Sequence, residues 1–224
     1  MKLGAYKIGA VVGKLPQKVA SGFSRVFDRM VGAEYTPIAY LGSKVVNGIN
    51  HAVLAEQSLV TGKDVHSIVL VVLNEKPGDV DGSSITIVSI DSILSDAGLL
   101  GGYRLSDDFK ITSEAQQVFD KAFTGFVGSN IKPFALLATK IVHGVEYVFA
   151  AELTMLVSPS SGFDASGSKK SIALISVYSD YTGINIEPIV EGTSVEADTA
   201  EDEDKGELVG YAFTWLTSAR KNWP

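Results

Sequence analysis

The sequence predicts an α+β protein made of two repeated units, each a single helix packed on a four-stranded antiparallel sheet. Three observations predict it. The stretch Lys140-Ile-Val-His-Gly-Val-Glu-Tyr-Val-Phe-Ala-Ala-Glu152 has an earlier, degraded copy in Lys44-Val-Val-Asn-Gly-Ile-Asn-His-Ala-Val-Leu-Ala-Glu56, and an internal repeat sets the fold before any single element is assigned. Each copy is preceded by apolar residues at helical spacing. Each is followed by two further apolar runs of strand length, separated by turn residues.

Pro16 can open the first helix, in which Val19, Phe23, Val26, Phe27 and Met30 fall on one stripe, and Gly32 stops it. The second helix opens at Ser113, where Ser-Glu-Ala-Gln has the form of a capping box, and carries Ala115, Phe119, Ala122, Phe123 and Phe126. From Gly32 to Glu56 and from Gly128 to Glu152 the two copies align without a gap, pairing Pro37 with Pro133, Leu41 with Leu137 and Val46 with Val142. Pro37 to Val46 and Pro133 to Val142 are therefore first strands of hairpins. Gly48 and Gly144 follow their tips, where a tight turn favours a residue that tolerates positive φ. Beyond them Val145, Tyr147, Phe149 and Ala151 alternate with Glu146 and Glu152, the pattern of a half-buried strand. The remaining strands are expected at Ile68 to Leu73 and Ile85 to Ile90, and at Ile172 to Tyr178 and Ile184 to Val190. In the second unit the connection Ser158 to Ser168 is longer than Thr61 to Asp64 in the first, as an insertion into a loop would make it.

The units divide the chain into residues 1–90, an apolar connector over 91–111 that is expected to pack, and 112–224. Units of about a hundred residues are of ordinary domain size. Outside the repeat, Glu196 to Asp204 is an acidic run without the ligand spacing of an EF-hand, expected as a solvated loop. After it Val209, Tyr211, Phe213 and Trp215 alternate with smaller residues, as in a strand with one aromatic face. Such a strand either completes the second sheet or meets a partner.

Composition narrows function by exclusion. The chain of 224 residues has no cysteine, hence no disulfide framework and no thiolate chemistry, and its net charge of −7 disfavours nucleic acid as a partner. Lys7 interrupts the apolar N-terminal stretch, so a secretory signal is not expected, and no apolar run has the length of a membrane span. His51, His66 and His143 lack metal-ligand spacing; His51, aligned with Tyr147, is expected to be packed. There is no nucleophile elbow, P-loop or dinucleotide fingerprint. The expectation is no enzyme, no cofactor and no metal.

The run Lys140 to Glu152 resembles the cystatin family, whose signature is a Gln-x-Val-x-Gly hairpin loop followed by a strand of the kind Val-Asn-Tyr-x-x-x-x-Glu, with lysine in place of the glutamine in both copies. Two such units joined by a connector are also similar, in architecture and length, to the latexin family of carboxypeptidase inhibitors. The cystatin resemblance implies inhibition of a papain-like cysteine peptidase by a wedge that includes the first hairpin loop, here Lys44 to Gly48 and Lys140 to Gly144. The second-loop Pro-Trp of many cystatins is absent; Pro77-Gly78 and Tyr181-Thr-Gly183 stand near its place. With the wedge altered, the expected function is a non-enzymatic protein-binding module with a structural or assembly role, for example as a virion component. Cysteine peptidase inhibition is the alternative. Partner-binding residues are expected to be Lys44, Val46, Asn47, Gly48, Lys140, Val142, His143 and Gly144 at the tips, with Tyr211, Phe213 and Trp215 on the aromatic face. The partner is a protein, either an assembly subunit or a papain-like peptidase, with self-association among the options; the expected place is the cytoplasm or a virion.

Overall fold

The computed structural model describes residues 5–60, 64–96, 102–157, 167–180 and 183–195. The first unit runs β1 (Lys7–Val12), α1 (Gln17–Phe27), β2 (Ala33–Val46), β3 (Gly48–Val60), β4 (Asp64–Glu75) and β5 (Thr86–Ser95). The second repeats that order with β6 (Arg104–Leu105), α2 (Ser113–Ala122), β7 (Ser129–Val142), β8 (Gly144–Val157), β9 (Gly167–Tyr178) and β10 (Ile184–Val195). Strands pair antiparallel in two five-stranded sheets, β1-β2-β3-β4-β5 and β10-β9-β8-β7-β6.

The expected α+β class, two cystatin-like units of one helix on four strands, is thereby overturned. Strand dominates the described residues, and each sheet has a fifth strand formed by the segment before the helix. In β1 the cause is the alternation of Tyr6, Ile8 and Ala10, which turn together into apolar packing. Lys7, which marks the segment as too polar for a signal, lies on the other, exposed side of that strand.

The layers differ from the expectation as well. One apolar cluster combines Val19, Phe23 and Phe27 of α1 with Val53, Ala55, Val69, Val71 and Leu73. A second combines Ala115, Val118 and Phe119 of α2 with Phe149, Ala151, Ala173, Ile175 and Val177. The third joins the sheets themselves: Leu41, Ala52, Leu54 and Ile68 pack with Leu137, Val148, Ala150 and Ile172. The order is helix, sheet, sheet, helix. β3 and β8 are consequently not half-buried: Ala52 to Ala55 and Tyr147 to Ala151 are buried on both faces. Continuous apolar runs are what such a central strand requires.

The repeat extends to backbone irregularities. β2 carries bulges at Ile38 and Leu41, and β7 carries them at the aligned Phe134 and Leu137. Bulges bend a strand and re-aim its side chains. Here they turn Leu41 and Leu137 into the inter-sheet core.

Phe23 and Phe119 are buried as their helical stripes predict, whereas Met30 and Phe126 lie beyond the helix ends and are exposed. The cap of α2 is Thr112, one residue before the expected Ser113, and its side chain accepts from the Ala115 amide at 3.2 Å. Thr112→Ala should cost about 0.5–2 kcal/mol, measured as a shift in the denaturant midpoint at unchanged slope; Thr112→Ser should recover most of it.

Candidate functional site

The two β-hairpin tips are the repeated feature through which this fold meets solvent. In each, one residue, Asn47 or His143, separates the strands, and the backbone closes through a glycine with φ of 105° at Gly48 or 106° at Gly144. Gly48 packs against the end of β4, where an added Cβ would collide with the Glu75 carbonyl oxygen. Gly144 has the same conformation with more room: the nearest atom to an added Cβ is Ser179 Oγ at 2.7 Å. The second tip is fastened by Ser179, whose hydroxyl accepts from the Val145 amide at 2.9 Å and whose own amide donates to the Val145 carbonyl at 2.8 Å.

The aligned lysines do not project from the tips. Lys44 Nζ lies 4.9 Å from the centre of the Tyr6 ring, and Lys140 Nζ lies 5.2 Å from that of Tyr103. Each is a cation–π contact joining the hairpin to the segment that opens its unit. Tyr103 also donates to the buried Glu146 carboxylate at 3.2 Å. Burial, reinforced by that carboxylate, pushes the Tyr103 phenol up to about 12.

Beside the polar Asn47 and His143, the tips present apolar side chains. Val45 and Val46 are exposed on the first and Ile141 and Val142 on the second, Ile141 to 81%. Val80, in the turn between β4 and β5, is exposed to 90%. Asn47, His143 and Gly144 are exposed and Gly48 is half-buried. Tyr211, Phe213 and Trp215 lie outside the described residues, as does the acidic run.

A polar chain unexpected in its extent lies between α1 and its sheet. Tyr40 OH donates to His51 Nδ1 at 3.0 Å, and His51 Nε2 donates to Glu75 Oε2 at 3.1 Å. The other oxygen, Glu75 Oε1, holds Lys18 Nζ of α1 at 2.6 Å. Lys18 also donates to the Asp79 carbonyl. His51 and Glu75 are buried, and among the described residues no buried side-chain polar atom lacks a partner. The row of phenol, imidazole and carboxylate has the outline of an activated nucleophile, but burial raises the Tyr40 phenol rather than lowering it. The chain is better understood as a structural network. The sequence marks only His51 as packed; its partners come from β2, β4 and α1 and share no local motif.

Among the described residues no group of three His, Asp or Glu side chains is placed to hold a metal ion. No helix among them is long and apolar enough to cross a membrane. Neither a protein-family model, nor a curated protein, nor a solved structure matches the chain.

Proposed function

We propose that this protein is a non-enzymatic protein-binding module with a structural or assembly role, engaging a protein partner through its hairpin tips. The observation that carries this reading is the exposure of Val45, Val46, Ile141 and Val142 at the same place in both units. Contiguous apolar side chains in water are a cost that contact with a partner removes. The sheet edges favour tips over strand addition. Of the edge strands, β1 is bulged between Ile8 and Val11, β10 carries Pro188 beside a bulge, and β5 is bulged at Val88 and Ile93. Proline and bulges blunt an edge against pairing with another chain.

The test places a photo-crosslinking residue at Ile141 or Val45, and at Ser24 on the exposed side of α1 as control, in cells that naturally make the protein. A discrete adduct from both tip positions and none from Ser24 is expected. A mass of two chains would identify self-assembly, and any other sharp mass a separate subunit. Absence of tip adducts, or equal adducts at Ser24, would refute the reading.

A further inference from the structure

We propose that the chain Tyr40–His51–Glu75–Lys18 is an acid-sensitive latch that fastens the first turn of α1 to its sheet, and that the second unit has no such device. The two units solve the same attachment differently. At the position of His51 the second unit has Tyr147, whose hydroxyl donates to Glu114 in the first turn of α2 at 3.0 Å. No histidine takes part there. α2 has in addition the Thr112 cap, whereas Pro16 at the start of α1 supplies no side-chain cap. The first turn of α1 therefore depends more heavily on Lys18 and its carboxylate. Farther along, Arg25 donates to the Gly82 carbonyl and ties the later turns separately.

The geometry makes His51 the sensitive element. A neutral imidazole has one donor and one acceptor, and both are used, Nε2–H toward Glu75 and Nδ1 toward the Tyr40 hydroxyl. The ionisable groups facing it are Tyr40 from β2, Glu75 from β4 and Lys18 from α1. Protonation turns Nδ1 into a donor aimed at a hydroxyl that is already donating, so the phenol must rotate. It also places a second cation beside a carboxylate already committed to Lys18. Burial lowers the affinity of His51 for a proton, with Glu75 opposing and Lys18 assisting. Because the folded state prefers the neutral ring, its contribution is complete above the ordinary histidine value of 6.5 and is lost as pH falls below it.

The experiment is hydrogen–deuterium exchange of the full chain at pH 7.5 and pH 5.0, corrected for intrinsic exchange, comparing α1 with α2. Protection in the first turns of α1 should fall several-fold more than in α2. His51→Gln should abolish that difference, while His66→Gln and His143→Gln keep it. Parallel change in the two helices, or a His51→Gln chain that retains the difference, would overturn the proposal. Should His51→Gln fail to fold, the imidazole signal of His51 in the unmodified chain decides. A midpoint below 6.5 that the α1 amide shifts follow supports the latch, and a midpoint at or above 6.5 refutes it.

Discussion

Gly48→Ala should destabilise the protein more than Gly144→Ala, although the two glycines are aligned in the repeat and have nearly the same φ. Both substitutions force a side chain into a left-handed conformation, a strain of about 1–3 kcal/mol. Only at Gly48 would the new Cβ also collide with backbone, the carbonyl oxygen of Glu75. That strand end cannot swing aside cheaply, because Glu75 holds both Lys18 and His51. Overpacking of this kind adds about 1–3 kcal/mol, for a total on the order of 2–6 at Gly48. At Gly144 the obstacle is the Ser179 hydroxyl, which can rotate at the loss of its bond to the Val145 amide. Chemical denaturation of the two variants checks this; equal losses would show that the closeness of Gly48 to β4 is unimportant.

The contrast shows which features were legible in the sequence. Hairpins, tips and helical stripes follow from short-range periodicity, and they lie where Val46, Asn47, Gly48, Phe23 and Phe119 place them. The layers were not legible, because they depend on what covers the second face of each sheet. Alternation of Tyr147 and Phe149 with Glu146 suggests one wet face, yet Glu146 is buried against Tyr103. The contrary signal was present in Ala-Val-Leu-Ala at 52–55 and Val-Phe-Ala-Ala at 148–151, unbroken apolar runs that only a doubly covered strand needs. The lysines at 44 and 140 show a similar limit. Their charge suggests an outward role at the tip, but Tyr6 and Tyr103, distant in sequence, take them inward. β6 is only two residues long, too short for any periodicity to announce it.

Phe149→Ala should cost about 3–5 kcal/mol and should lower the stability of both units together. Phe149 is fully buried at the middle of β8, with the Phe119 ring of α2 edge-on at 5.0 Å and the Tyr147 ring at 6.4 Å. Its removal deprives α2 of its largest fully buried partner on the sheet, and surrounding strands buried on both faces have little freedom to collapse into the gap. The aligned residue in the first unit is Val53, also fully buried, and Val53→Ala deletes less volume and should cost less. The loss should nevertheless spread. Val148 and Ala150, the neighbours of Phe149 on the opposite face of β8, belong to the core that includes Leu41, Ala52, Leu54 and Ile68 of the first sheet. Neither sheet can leave that core without exposing the other, so the chain should unfold in one transition rather than two. Calorimetry of Phe149→Ala should show a single endotherm moved to lower temperature, with near-ultraviolet and far-ultraviolet signals lost together. A first transition confined to the second unit, followed by melting of the first at its original temperature, would mean that the apolar layer between the sheets does not couple them.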